Sequence, residues 1–395
     1  MFTFSNLLKR GSNYLLLILL ARSMPLTLVG TYSAYINAFS LVLLISNFGF
    51  SEYLLVNSGS KKKLKFNSIF FLELSLLIFF VILILTSLIP LQNKVLAMLI
   101  LIKLYFETSV YNMILSFFQV KQKIFIVAAI NLISASLIVV ILGVSFFFNQ
   151  DITTYLTGII TVHIMVYIYF LNQIKVPFLR VKELTYHLKK IFKDLKYYGF
   201  SMVSTPLYLM IPTVAGSFLL SPEVLAKYQV AYSISNILLL VSVSQIQVGY
   251  VEFLDAQNNS RKLKKVLKKF ALRVFGINAV FLVFCVLFGK KLLLIVFDKE
   301  AYLESFTPLV YLLFINIICM FSSLLAVIMV LKKDQKLKTK YHIEFIMIST
   351  IFGIILTYYF GVNGLIAAYF ILYVYSFFRY FFYVKRKLYQ QLDTY

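Results

Sequence analysis

Five ionisable residues lie inside long apolar stretches of this 395-residue chain. They are Arg22, Glu73, Lys103, Glu107 and His163. A charged side chain in hydrocarbon costs at least about 2.5 kcal/mol, so such residues usually face a partner or a polar cavity. Lys103 and Glu107 are four residues apart and share one helical face. They either neutralise each other or line a polar path as a cation and a carboxylate.

The other three residues each have two interpretations. Arg22 either extends to an aqueous interface or presents its guanidinium to a phosphate group. Glu73 either carries a coupling proton or is satisfied by a hydrogen bond. His163 either relays protons, because an imidazole titrates near neutral pH, or packs as a structural residue.

Three prolines are candidate bending points. Pro206 and Pro212 lie within one predicted helix, and Pro25 lies near the end of the first predicted helix. A proline inside a helix removes a backbone donor and clashes with the preceding turn. We therefore expect a kinked seventh helix, which acts either as a gate or as a simple structural bend.

Patterns for nucleotide-driven or metal-dependent chemistry are missing from the sequence. The 14 glycines form neither a P-loop nor a dinucleotide-binding fingerprint. The three histidines lie in separate segments without a cysteine or carboxylate at ligand spacing, so no metal site is expected. We predict that the chain is not an enzyme and that it carries no cofactor.

The composition identifies the environment of these residues as a membrane. The chain is 61% apolar and 13% charged, with a mean hydropathy of +0.89. A soluble domain is about half apolar and about a quarter charged. About twelve apolar windows are each long enough to cross a bilayer, which takes about 20 helical residues. The sequence therefore predicts an all-α polytopic membrane protein with about 12 transmembrane helices.

The distribution of the 38 basic residues predicts the orientation. With a cytoplasmic N-terminus, most of them fall in cytoplasmic segments, as the positive-inside rule requires. Both termini are then cytoplasmic. The same distribution accounts for the net charge of +23 through contact with membrane lipids, so no nucleic-acid partner is expected. The basic residues that fall in the predicted outer loops are only Lys94, Lys227, Lys290, Lys291 and Lys299.

A long basic connector divides the predicted helices into two sets. We predict a six-helix N-terminal lobe over 1–175, a basic amphipathic cytoplasmic connector over 176–196, and a six-helix C-terminal lobe over 197–395. Because six is even, both lobes enter the membrane from the same side, which predicts parallel repeats. A second amphipathic stretch over 261–270 is also expected to lie on the anionic cytoplasmic leaflet.

Several short motifs resemble those of the Wzx-type polysaccharide flippases. Leu19-Leu20-Ala21-Arg22, followed by Gly30-Thr31-Tyr32-Ser33 and Asn47-Phe48-Gly49-Phe50, is similar to the first two helices of that family. Those proteins commonly have a short outer turn with Gly-x-Tyr-Ser and then a helix ending in Asp or Asn, Phe, Gly. Asp298 stands where the family usually has glycine. Further similar segments cover 221–228, 293–302 and 361–368.

The resemblance implies the multidrug/oligosaccharidyl-lipid/polysaccharide exporter superfamily, in which two six-helix lobes surround a central cavity and work by alternating access. It implies transport of an undecaprenyl-diphosphate-linked oligosaccharide, such as an O-antigen unit of lipopolysaccharide, a capsule unit or an exopolysaccharide unit. The direction is from the cytoplasmic to the periplasmic leaflet of the bacterial inner membrane. Arg22 matches a position that is often basic in the family, whereas Lys103 matches no family motif.

On this interpretation Arg22, Lys103 and Glu107 are candidates for lining the substrate cavity. Glu73 and His163 are candidates for ion coupling, with H⁺ and Na⁺ as candidate coupling ions. A polysaccharide polymerase and a chain-length regulator are candidate partners.

Two other functions stay open at this point. A MATE-type cation-coupled drug or metabolite antiporter would favour a cavity dominated by carboxylates, whereas the charges here are of both signs. A membrane glycan polymerase or ligase would need outer loops able to hold a reacting sugar, and the longest predicted outer loop covers only about 290–305.

Overall fold

In the computed structural model of the chain, the described residues are helical and contain no strand. The described residues are 2–47, 62–87, 91–120, 124–148, 150–174, 200, 203–257, 259–332 and 334–390.

Six helices occupy the described ranges up to residue 174. Helix α4 covers 91–120 and consists of Leu91–Tyr105, a π-helical turn Phe106–Val110, and Tyr111–Val120. The others are α1 (Phe2–Ser23), α2 (Leu26–Asn47), α3 (Lys62–Thr86), α5 (Ile124–Phe147) and α6 (Ile152–Ile174).

Six more helices follow in the described ranges from residue 203. Helices α11 (335–360) and α12 (362–390) are separated at Gly361, whose φ of 57° breaks the helical path. Glycine adopts this conformation without a steric penalty. The remaining elements are α7 (Val203–Leu219), α8 (Pro222–Ala256), α9 (Ser260–Phe297), a 3₁₀ turn (Glu300–Ser305) and α10 (Phe306–Leu331).

The helices have the length and apolar character of membrane spans. Seven helical stretches in the described residues can cross a bilayer, one of which runs through Gly361 and contains two helices. Tyr14–Ser23, Leu74–Thr86 and Val203–Leu219 are shorter apolar helices. The protein is therefore an all-α multi-pass membrane protein, and the cytoplasmic placement of its termini stays a prediction.

Local sequence explains where several helices begin and end. The Asn259 side chain accepts a hydrogen bond from the Lys262 amide at 3.0 Å and so caps the start of α9. Helix α9 ends at Asp298, which has a left-handed φ of 56°. Aspartate tolerates this conformation better than most residues, and glycine tolerates it best. This explains how Asp298 can stand where the resemblance implies glycine.

The chain forms two compact units, 1–207 and 208–395. In the first unit α1 packs against α5, and α4 packs against both α2 and α6. In the second unit α10 packs against α8, α9 and the 335–390 helices, so α10 forms its centre. The lobe limits expected from the sequence stay a prediction, and the connector over 176–196 lies outside the described residues.

The basic stretch over 261–270 differs from the sequence-based expectation. It is not a separate surface helix, because it forms the first turns of the 38-residue helix α9. Its apolar residues Leu263 and Phe270 are fully buried, and the Phe270 ring lies 5.2 Å from the ring of Phe253 on α8. The predicted helix is present, but its apolar face packs against protein rather than lipid.

Candidate functional site

Lys103 and Glu107 form a buried ion pair on α4. The Lys103 ammonium lies 2.9 Å from Glu107 Oε1 and donates a hydrogen bond to Oε2 at 2.9 Å. Their side chains are only 3% and 8% exposed. Of the two alternatives that the four-residue spacing left open, the structure shows the mutual ion pair. Since the ammonium is already held by both carboxylate oxygens, Lys103 is not a free cation for a ligand.

His163 on α6 joins this pair. Its Nε2 lies 3.5 Å from Glu107 Oε1, and the residue is 8% exposed. Glu107 is thus placed between an ammonium and an imidazole on two different helices. We call Lys103, Glu107 and His163 the ion cluster. The sequence suggested separate roles for Glu107 and His163, and the packing of α4 against α6 brings them together.

Tyr32 on α2 is a further member of this region that the charge analysis missed. It is 2% exposed and lies within electrostatic range of both Lys103 and Glu107. Tyr32 belongs to the Gly-x-Tyr-Ser motif, which was the available signal for it. Three helices, α2, α4 and α6, therefore contribute polar groups to one buried region.

Glu107 lies on the π-helical turn of α4. The Tyr111 amide donates to the Phe106 carbonyl five residues earlier, which is the hydrogen bond that defines a π turn. Such turns are frequent at functional sites, because the extra residue redirects side chains from the regular helical face. The Phe106 ring packs edge-on against Tyr167 of α6 at 5.9 Å and helps to hold the two helices together.

The net charge of the ion cluster depends on whether the His163 imidazole carries a proton. With a neutral imidazole, the Lys103 and Glu107 charges cancel. With a protonated imidazole, two cations compete for one carboxylate inside a region of low dielectric, where charge interactions are strong. Within the described part of the chain, no group of three His, Cys, Asp or Glu side chains could hold a metal ion.

Two other candidates occupy different surroundings. Arg22 lies in the last turn of α1 and is exposed, whereas Lys103 is buried and paired. The two cations therefore do not share one environment. Glu73 belongs to α3, but its side chain lies outside the described residues.

The prolines also divide into two cases. Pro25 lies outside any helix, in the turn between α1 and α2, and its carbonyl accepts the amide of Val29 at 3.2 Å. It therefore begins a helix rather than bending one, which corrects the expectation for the first span. Pro206 and Pro212 both lie within α7 as expected. At Pro212, α7 passes so close to α11 that a Cβ added to Gly353 would lie 3.3 Å from the Pro212 Cα.

The second unit contains a neutral aromatic stack that sequence reasoning did not identify. Tyr228, Tyr232, Tyr369 and Tyr373 form a column with ring centroids 5.8, 6.2 and 6.0 Å apart. The Tyr369 hydroxyl donates to the Leu209 carbonyl at 2.8 Å and is hydrogen bonded to the Thr213 hydroxyl. The column joins α7, α8 and α12 without a charged group among its four rings.

A partly exposed ion pair in this unit joins α11 to α12. Arg379 lies 2.8 Å from Glu344, and its guanidinium carbon lies 4.3 Å from the Tyr341 ring centroid. The two charges contact each other, and the guanidinium also lies over an aromatic ring.

The helices and their apolar faces define a polytopic membrane protein. The chain belongs to the polysaccharide biosynthesis protein family, whose profile matches residues 1–250. This confirms the resemblance drawn from the motifs at the level of the family. Among curated proteins, no sequence matches the chain.

Solved structures share this fold. The structure of the lipid II flippase MurJ in an inward closed conformation has a TM-score of 0.72 and 18% identity, covering 97% of this chain and 87% of that one. An inward-facing multidrug resistance MATE family transporter of the MOP superfamily has a TM-score of 0.66 and 13% identity, covering 100% and 96%. A MOP superfamily transporter from Pyrococcus furiosus has a TM-score of 0.60 and 11% identity, covering 98% and 95%.

Proposed function

We propose that this protein is a flippase for an undecaprenyl-diphosphate-linked oligosaccharide. It moves this lipid from the cytoplasmic to the periplasmic leaflet of the bacterial inner membrane by alternating access. The observation that carries the proposal is the match of the polysaccharide biosynthesis family over 1–250. The fold shared with a lipid II flippase over 97% of the chain supports it. The repeat unit is an O-antigen, capsule or exopolysaccharide unit.

Arg22 is the proposed contact for the diphosphate. Its side chain is exposed at the end of α1, and a guanidinium presents several donors in a geometry that matches phosphate oxygens. Lys103 has a different proposed role, because its ammonium is occupied by Glu107. It holds the carboxylate in place rather than binding the substrate.

The ion cluster is the proposed coupling element, with H⁺ as the coupling ion. Proton binding at His163 weakens the ion pair between Lys103 and Glu107. A weaker ion pair favours a different packing of α4 against α6. Histidine is suited to this role because its ordinary pKa lies near physiological pH. Sodium is less favoured, because sodium sites, like those of other hard cations, use oxygen ligands, and an ammonium already occupies the carboxylate. Pro206 and Pro212 are the proposed bending points of α7.

The test is movement of a fluorescent undecaprenyl-diphosphate oligosaccharide across proteoliposome membranes, with and without a proton gradient. The expected result is protein-dependent movement that responds to the gradient. Arg22→Ala should reduce the rate at least tenfold, while Arg273→Ala, an exposed cation elsewhere, serves as a matched control. Absence of movement by the intact protein would reject the flippase proposal.

A MATE-type cation-coupled antiporter is the second candidate. The TM-score of 0.66 with a multidrug resistance MATE transporter favours it. The same proteoliposomes can be tested for efflux of an organic cation. Cation efflux without lipid movement would replace the first proposal with this one. A polysaccharide polymerase and a chain-length regulator remain proposed partners, which co-purification from native membranes would test.

A further inference from the structure

Basic residues of the second unit gather at one end of its helices. The Lys332 ammonium donates a hydrogen bond to the Gln257 carbonyl at 2.7 Å, and the Lys387 ammonium lies 3.4 Å from Asp334 Oδ2. These two contacts bring together the α8–α9 turn, the α10–α11 turn and the last turns of α12. We call this region the basic end. Its exposed cations include Arg261, Lys265 and Lys268 of α9, Lys336 of α11, and Lys385 and Arg386 of α12.

The carboxylates of the basic end do not neutralise its cations. Asp334 is already held by Lys387 and by the Tyr383 hydroxyl. Lys385 and Arg386 form no ion pair with a described residue. The other carboxylates at this end are Glu252, which pairs with Lys269, and the exposed Asp255. The basic end therefore carries an excess of positive charge.

The excess charge acts on Lys332, in the turn between α10 and α11. Burial, followed by the positive charge of Lys387, lowers the pKa of Lys332 below its ordinary value of 10.5. An anion beside two such cations would stabilise both of them. Ammonium and guanidinium groups bind phosphate oxygens through charge-assisted hydrogen bonds, so a phosphate group fits this region.

The exposed face of α12 places the cations at the depth of lipid headgroups. Phe378 and Phe382 stack with ring centroids 6.2 Å apart and are 48% and 60% exposed. Arg386 follows Phe382 by four residues and continues the same helical face. Helix α9 has the same order, because Lys268 lies four residues from Leu272, which is 61% exposed. Both faces change from apolar to cationic within about one turn.

We propose that the basic end binds the headgroup of an anionic phospholipid, whose acyl chains lie along Phe378 and Phe382. A phospholipid has its acyl chains directly beside a phosphate, which is the order of apolar and cationic groups on α12. The headgroup is anionic because a zwitterionic one brings its own ammonium, which the cations repel. This inference uses only charge and membrane depth, so it does not rest on the proposed transport function.

Two other occupants fit the basic end less well. A soluble polyanion would have to reach cations that begin within one turn of exposed phenylalanines, where lipid headgroups already lie. A transported lipid is present only during transport. The face of α12 is open to the bilayer, so it contacts bulk lipid continuously, and anionic phospholipids supply the negative charge of that surface.

Tryptophan fluorescence provides the test, because the sequence contains no tryptophan. Phe382→Trp places one reporter at the basic end, and Phe360→Trp places one at the opposite end of α11. The two phenylalanines are 60% and 65% exposed. Each full-length protein is reconstituted in phosphatidylethanolamine vesicles with either brominated phosphatidylglycerol or brominated phosphatidylcholine. Bromine quenches a nearby tryptophan, so the ratio of quenching by the two lipids measures the preference for the anionic headgroup.

The expected result is a preference for phosphatidylglycerol of about fivefold or more at position 382, since one basic residue near an anionic surface has an effect of about this size. No preference is expected at position 360. Lys385→Gln with Arg386→Gln, added to Phe382→Trp, should remove most of the preference. Lys290→Gln with Lys291→Gln, at exposed cations near the other end of α9, is the matched control and should retain it.

A salt titration of the unneutralised Phe382→Trp protein is a second test that does not depend on the folding of the double variant. The preference should fall as sodium chloride screens the charges. Equal preference at positions 382 and 360, a preference that survives the double variant, or one that salt leaves unchanged would overturn the proposal. Displacement of the brominated lipid by a small amount of undecaprenyl diphosphate, or by soluble polyglutamate, would identify a different occupant and also overturn it.

Discussion

The two units of the chain bury polar side chains in different ways. The first unit holds an ammonium, a carboxylate and an imidazole in one cluster, and its members are at most 9% exposed. The second unit instead contains a packed column of four neutral tyrosines. A buried charge is tolerated only with its partner, whereas a tyrosine needs only one hydrogen bond. On the proposed function, the proton-sensitive chemistry belongs to the first unit, and the aromatic column has a structural role.

The largest expected effect is that of Glu107→Ala. This change leaves the Lys103 ammonium buried without its counter-charge, and loss of one partner of a buried pair costs about 3 to 5 kcal/mol. The free energy of unfolding in mixed micelles measures this cost. Glu252→Ala is the matched control, because Glu252 pairs with Lys269 at an exposed position, where a pair is worth about 0 to 1 kcal/mol.

A double variant sharpens this prediction. Lys103→Leu with Glu107→Leu replaces both charges with apolar groups, and such replacements are often neutral for stability. We expect the double variant to be more stable than Glu107→Ala alone but to have lost the transport response to a proton gradient. Equal stability of Glu107→Ala and Glu252→Ala would mean that the ion pair is solvated.

His163→Gln is expected to have the next largest effect, on transport rather than stability. The amide cannot take up a proton at physiological pH, so acceleration of lipid movement by a proton gradient should disappear while the rate without a gradient is retained. His342→Gln is the control in the second unit, since His342 is also buried but packs against the rings of Tyr208 and Phe345. If both variants lose the gradient response, the contrast between the units is wrong.

Tyr369→Phe tests the aromatic column with a smaller expected effect. The change removes the hydroxyl that bonds the Leu209 carbonyl and Thr213 but retains the stacked ring. We expect a loss of about 1 to 2 kcal/mol in the free energy of unfolding, which is usual for a buried hydrogen bond. The gradient response should be unchanged. Tyr359→Phe, at a residue that is 72% exposed, should change neither quantity.

The sequence was sufficient to predict the helices and to place two members of the ion cluster on one helical face. Apolar windows predict the spans because a helix needs about 20 mostly apolar residues to cross a bilayer. Helical geometry places Lys103 and Glu107 on one face of a helix, but it does not decide whether they pair or face a polar path. The contact between Glu107 and His163 could not be predicted in this way, because it depends on how α4 packs against α6. The π turn that carries Glu107 also leaves no periodic signal.

The amphipathic stretch over 261–270 shows a second limit of periodicity. Its apolar residues recur at helical spacing, which correctly predicts a helix with one apolar face. Spacing does not distinguish a lipid surface from a neighbouring helix as the partner of that face. Leu263 and Phe270 are buried, and Phe270 packs against Phe253, so the partner of the apolar face is the neighbouring helix α8. Such a choice requires tertiary contacts.

The smallest expected effect is that of Asp151→Ala, at an exposed carboxylate that contrasts with the buried Glu107. Asp151 precedes α6 and accepts hydrogen bonds from the Thr154 amide at 3.1 Å and from the hydroxyls of Thr153 and Thr154 at 2.6 Å. Loss of such a cap costs about 1 kcal/mol. The hydroxyl of Thr153, followed by that of Thr154, lowers the pKa of Asp151 below its ordinary value of 3.8.

Because the folded state lowers this pKa, the carboxylate stabilises the fold fully above about pH 4, and its contribution disappears as the pH falls through the folded-state pKa. The free energies of unfolding of the wild type and Asp151→Ala should therefore differ by about 1 kcal/mol at pH 7 and by less in acid. Asp151→Asn retains an acceptor for the Thr154 amide and should lie between them. A constant difference at all pH values would show that the charge of Asp151 has no part in capping α6.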